Sequence, residues 1–391
     1  MKKKVTISSL LFWLYSFLIL WPSSFSTIVT VVLYNAISVA GVLFLVSRKY
    51  RPQKLIVVLM VYYVVLCGIT FYNRTDNASI NLIVSYSKLM VYLGLVDYMM
   101  RNKQTAAVND LFQIIFLFVV VDFVSLLAFP NGIKQTEYVW NEWSTSYDPI
   151  WFFGRKNNRI FYYIILDVLS IWKYNISRTK KNKWFVILAM VMGMTSSVLE
   201  ESSTSIIVSA ILSFGVICFL WKKEIKKIPV NLCVLLYGIF EILLVGGSVT
   251  FLAPIINDLF HKDLTFSGRS LIWNQILVMI AQKPILGWGY MKSTTISKIL
   301  GSKVFTSAHN QWLNFLFQGG IVLFGIAVML FAIEIGTIKK QKANRNVFIM
   351  TVVLISLFVD MLFESQFNGI AVGLTIIMIY EYSLAFEEGI E

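Results

Sequence analysis

"TFSGRSLIWNQILVMIAQKPILGWGYM", residues 265–291, decides how this chain is read. Its middle, from Ser270 to Ala281, has helical character, and Lys283–Pro284 ends that helix at about Gln282, because proline disfavours helical backbone in the residue before it. A helix this short does not cross about 30 Å of hydrocarbon, so it lies at an interface or re-enters a bundle. Basic Arg269, Lys283 and Lys292 stand beside Trp273 and Trp288. The stretch is a polar gathering point, and the flanking sequence fixes where it sits.

Around it the chain is mostly apolar. Hydrophobic residues make up 57% and charged residues 14% of the 391, and the mean hydropathy is +0.72. That composition marks a polytopic membrane protein. Each span needs roughly 20 apolar residues, and about twelve candidate spans begin near residues 8, 27, 54, 80, 110, 158, 183, 203, 229, 311, 346 and 368. The expected fold is one all-α integral membrane domain over residues 1–391. An even count of spans puts both termini on one side.

Charge gives the side. "MKKK", "SRKYRPQK", "RNK", "SRTKKNK", "KKEIKK" and "KKQKANR" fall on alternate connections, and the positive-inside rule makes those cytoplasmic. The two longest loops, about 130–158 and about 254–309, then face outward, the second between spans 9 and 10 and containing short helices. The net charge of +13 needs no nucleic acid, since the cytoplasmic Lys and Arg are scattered through short loops where topology explains them. The basic excess of the 254–309 loop has no such explanation, because long loops are exempt from the rule.

Cys67, Cys218 and Cys233 lie within or near spans without metal-ligand spacing and read as packing residues. The basic, apolar N-terminus lacks a small-residue cleavage site and reads as an uncleaved first helix. There is no nucleotide-binding glycine motif, no His-Glu-x-x-His zinc pattern and no paired outer aspartates, so neither cofactor nor metal is expected.

The two histidines, His261 and His309, both fall in the long outer loop or at its boundary with the tenth span. A histidine there has two readings, an acid–base group meeting both a lipid-borne group and water, or an interfacial polar residue; His261 fits the second better. Arg155 and Arg159 in "FFGRKNNRIF" and Arg269 in "FSGRSLIW" also have two readings, since guanidinium grips phosphate through paired donors but equally anchors helix ends to lipid headgroups. For Arg159 the anchor is favoured. Gly287 and Gly289 beside Trp288 and Tyr290 make either a turn whose amides approach a phosphate or sugar, or an interfacial turn with aromatic anchors. Asp122, Asp167, Glu241, Glu334 and Asp360 fall inside spans, with Glu200 and Glu201 near an outer end. Each buried charge costs about 2.5–3.5 kcal/mol, and pairing or neutrality inside the bundle is favoured over a proton pathway.

Four segments, "GRKNNRIFYY", "FSGRSLIW", "KPILGWGY" and "SAHNQWLNFLFQGG", together with the late outer loop, resemble the O-antigen polymerase and ligase superfamily, the Wzy-like bacterial polysaccharide enzymes; the likeness is sharpest over about 265–325. His309, Asn310 and Gly320 match the ligase-type spacing, while Leu323 departs from it. The resemblance implies a glycosyltransferase acting on sugar chains carried by undecaprenyl pyrophosphate at the outer face of a bacterial plasma membrane. On that implication Arg269 and Arg155, with Lys156 and Arg159, hold the pyrophosphate; His309 takes the acceptor proton and Asn310 orients it; Trp288 and Tyr290 contact sugar. Expected partners are the lipid-linked oligosaccharide, membrane lipid, and a chain-length regulator and flippase of the same capsule, exopolysaccharide or O-antigen pathway. Polymerase ranks first. A ligase-type transferase or a flippase of the same lipid-linked oligosaccharide is the alternative.

Overall fold

The computed structural model describes residues 6–141, 144–222, 225–247, 269–299 and 307–386. The described residues form helices α1 (Ile7–Ile19), α2 (Ile28–Ser47), α3 (Lys54–Tyr72), α4 (Ile80–Ala128), α5 (Lys156–Ile176), α6 (Lys180–Leu199), α7 (Ser203–Trp221), α8 (Val230–Val245), α9 (Arg269–Gln282), α10 (Ser293–Ile299), α11 (Gln311–Lys340), α12 (Arg345–Met361) and α13 (Ile370–Ala385). A two-stranded antiparallel hairpin, β1 (Lys134–Asn141) and β2 (Ser144–Ile150), stands in the first of the long loops. Its backbone pairs across strands instead of along a helix, which is tolerated where water reaches the edges but not in hydrocarbon.

A helix stands at or near each expected start, and α4 supplies two of them: its backbone leaves helical geometry at Lys103, inside the polar "RNK" run. Among the described residues, six helices are long and apolar enough to cross a membrane: α2, α3, α4, α6, α7 and α11. Shorter apolar helices are α1, α8 and α13. This is a multi-pass membrane architecture. The large apolar cluster at its centre runs from Phe12 and Tyr62 through Leu166 and Trp172 to Ile376.

Local sequence sets the helix starts. Thr179, Ser202, Asn310 and Asn344 each stand just before a helix and accept a hydrogen bond from a first-turn amide, satisfying one of the four orphan donors there.

The "KPILGWGY" segment explains a second break. α11 leaves helical geometry at Gly320, whose φ is 57°. The segment from Pro284 to Gly289 lies in the gap: Trp288 N donates to Phe317 O and Gly289 N to Gln318 O, each at 2.8 Å, and Ile321 N donates to Pro284 O at 2.9 Å. A Cβ on Gly320 would stand 2.2 Å from Ile285 O, and one on Gly287 2.6 Å from Phe317 O. Only glycine fits either position. The carbonyls freed by breaking the helix are thus satisfied by the strap, as buried backbone groups require.

Candidate functional site

α5 begins directly after Arg155, so Arg155, Lys156 and Asn157 sit at one helix start. α9 begins at Arg269. Between Ser307 and α11 the chain turns through His309, whose φ of 46° is left-handed, a conformation that a histidine rarely adopts and that often marks a functional position. Two neighbours hold the turn in place. Trp273, fully buried in α9, donates Nε1 to Ala308 O at 3.1 Å, and Asn310 caps α11.

These three starts meet the α12–α13 connection at Glu364. Arg269 Nη2 donates to Glu364 Oε1 at 2.7 Å, and Asn157 Nδ2 donates to the same oxygen at 2.6 Å. His309 Nδ1 faces the other oxygen, Oε2, at 3.7 Å, within ion-pair reach but longer than a hydrogen bond. Burial acts to raise the Glu364 carboxyl, but Arg269, His309 and Asn157 together outweigh it and hold the group below the ordinary glutamate range. Glu364 is 5% exposed, so it is an ionised carboxylate enclosed by its donors.

Above it lies a cavity of about 1330 Å³ bordered by Arg155, Lys156, Asn157, Arg269, His309 and Glu364. Residues of both long loops therefore share one space. The cavity continues between α7, α8 and α12 along Ile207, Val234, Tyr237, Phe240, Leu354 and Phe358, an apolar groove leading away from a charged mouth. Glu201, with φ 53°, also borders it.

Other residues expected at the site have different positions. Arg159 is fully buried and borders no part of the cavity: Nε and Nη2 donate to Asp122 at 2.6–3.1 Å and Nη1 to Glu200 Oε2 at 2.7 Å. All three of its nitrogens donate within this buried cluster, away from the cavity. Asn310 is buried with its amide donating to Glu241 Oε1 and Leu362 O while its oxygen caps α11, directly after His309. Trp288 donates to Met279 O and lies under Lys283. Tyr290 N donates to Thr70 Oγ1, and the ring packs edge-on against Tyr86. Neither ring borders the cavity. The backbone amides from Gly287 to Tyr290 are all engaged within the protein. His261 falls outside the described residues.

Of the acids inside the helices, Asp122 is paired with Arg159 and Glu241 accepts from Asn310. Among the described residues, neither oxygen of Glu334 has a hydrogen-bond partner. Glu364 is not among the residues singled out from the sequence; a carboxylate in the short polar turn "FESQFNG" between two apolar runs is the available signal.

The cavity thus joins a charged mouth to an apolar groove between α7, α8 and α12. Residues 187–328 match the family model described as O-antigen ligase. Over that stretch the match supports a likeness to the O-antigen polymerase and ligase superfamily. It takes in Arg269, His309 and α8, while Arg155 and Glu364 lie outside it. No curated protein matches the chain.

Proposed function

We propose that this protein is a polymerase of lipid-linked oligosaccharide repeat units, transferring a glycan from undecaprenyl pyrophosphate to a sugar hydroxyl at the outer face of a bacterial plasma membrane. The observation that carries the reading is the cavity that joins Arg155, Arg269 and His309 to an apolar groove between α7, α8 and α12. The groove suits a polyprenyl tail, the arginines suit its pyrophosphate at headgroup depth, and the open mouth leaves room for sugars. The elements at the mouth are the connections that the charge rule assigns to the outside, with both termini cytoplasmic. Loops 130–158 and 254–309 then form one active site within a single membrane domain.

In the reaction the acceptor hydroxyl oxygen attacks the anomeric carbon and the bond from that carbon to the pyrophosphate oxygen breaks. The lipid pyrophosphate leaves with the bonding electrons. Arg269 and Arg155, with Lys156, stabilise the charge that grows on it. His309 accepts the hydroxyl proton at Nε2 while Glu364 faces Nδ1, fixes the tautomer and stabilises the imidazolium that forms. Attack opposite the leaving group inverts the anomeric centre. The donor is already activated, so the step needs no nucleotide and no metal.

The description of the matching family favours a second reading, in which the same chemistry delivers a finished chain to a different acceptor. The test is purified protein reconstituted into sealed vesicles and given lipid-linked repeat units alone. A ladder of products supports the polymerase; single units that are consumed only when a foreign acceptor is added support the ligase; movement of units across vesicles without any new bond overturns both.

A further inference from the structure

Asn157 joins three separated pieces of chain. Its Nδ2 donates to Glu364 Oε1 at 2.6 Å, its Oδ1 accepts from Ser202 Oγ at 2.8 Å, and its backbone carbonyl accepts from Gln366 Nε2 at 2.9 Å. Ser202 is itself fixed, since it caps α7 by accepting from Ser205 N. With Ser202 donating to one end, the amide presents its other end to the carboxylate in a single orientation.

The consequence falls on Glu364. Its Oε1 is taken by two donors, Asn157 and Arg269, at 2.6 and 2.7 Å, which leaves Oε2 facing His309 Nδ1. An Arg269 contact alone leaves a carboxylate free to swivel and offer either oxygen to either partner. Two donors on one oxygen stop that rotation. Asn157 also sits in the same first turn as Lys156 and follows Arg155, so the basic lip and the His309 side share one support.

We infer that Asn157, held by Ser202, is a positioning residue for the transfer: it sets the Glu364 carboxylate against His309 and locks that unit to the segment carrying Arg155 and Lys156. The inference rests on the transferase reading above. An amide suits the task because it does not titrate, whereas its surroundings do: Arg269 and His309 face Glu364 from one side, Asp360 from α12 below, Arg155 and Lys156 flank Asn157 in the chain, and Glu200 with Arg159 lies behind Ser202 and Ser205.

The experiment measures kcat, KM and their pH dependence for glycan transfer by wild type, Asn157→Ala and Asn157→Asp in nanodiscs, with thermal melts as the folding control. Asn157→Ala lowers kcat on the order of tenfold to a hundredfold, as a small misplacement of reacting groups does, and changes KM less. Asn157→Asp behaves differently, because its protonated carboxyl donates to Glu364 as the amide does while its ionised form repels it. That variant gains a fall in kcat with rising pH that wild type and Asn157→Ala lack. A profile parallel to that of Asn157→Ala, or wild-type kcat in both variants, overturns the inference while leaving the transferase reading intact. Absence of transfer by folded wild type overturns that reading, and this inference with it.

Discussion

Two arginines on similar-looking stretches have opposite fates. Arg159 is enclosed by Asp122, Glu200 and Tyr163, with Trp151 stacked on its guanidinium; Arg269 is 17% exposed, gives one hydrogen bond to Glu364 and borders the cavity. Arg159 has all three nitrogens engaged inside the fold. Arg269 keeps several, and the carboxylate beside it holds the side chain in place without covering it. The lesson is that a guanidinium serves a substrate when its acidic partner leaves donors open, and serves the fold when its partners close the ring.

The largest effect should come from the cavity side. His309→Ala removes the proposed base and Arg269→Ala the proposed anion clamp, so each should slow transfer by about 100-fold or more, with a fall in melting temperature smaller than that of Arg159→Ala because Asn157 still donates to Glu364; rates and melts measured on the same preparations check both halves. Arg159→Ala should do the reverse, leaving Asp122 and Glu200 buried without their cation at a cost of about 3–5 kcal/mol. Its signature is a lowered melting temperature and poor yield, and a stable but inactive Arg159→Ala protein would blur the contrast.

A smaller effect concerns acid. Because Glu364 titrates below its ordinary value of 4.5, the unfolded chain binds its proton first, so the pairing with Arg269 and His309 contributes stability above that pH and loses it as pH falls through the lower folded value. Glu364→Gln should flatten that acid limb of a melting-temperature profile; identical slopes for the two proteins would remove Glu364 from the account. The smallest effect belongs to Trp288→Phe, which loses only the hydrogen bond to Met279 O, about 1 kcal/mol. It should leave KM for the lipid-linked unit unchanged, and a large rise in KM would return Trp288 to the site.

What the sequence discloses follows from how far apart the causes lie. Helices were legible because each apolar run meets the bilayer alone, and the division of α4 was legible because "RNK" interrupts its hydrophobicity within a few residues. The roles of the arginines were not. The partners of Arg159 lie 37 and 41 residues away and that of Arg269 lies 95 away, so nothing near either residue tells a closed ring from an open one. Gly320 and the "KPILGWGY" strap are legible as motifs, but their meaning depends on the two fitting into one another across a turn of chain. The hairpin is not legible because its pairing joins two short polar strands in a loop between apolar runs that dominate the sequence signal.

The central claim is that the cavity side, and not the buried ring, carries the chemistry. The measurement that tests it most directly compares Arg269→Ala with Arg159→Lys, both folded, in nanodiscs supplied with lipid-linked repeat units and resolved on a gel. The account predicts a product ladder from Arg159→Lys and only single units from Arg269→Ala. A ladder from Arg269→Ala, with none from a folded Arg159→Lys, would contradict it.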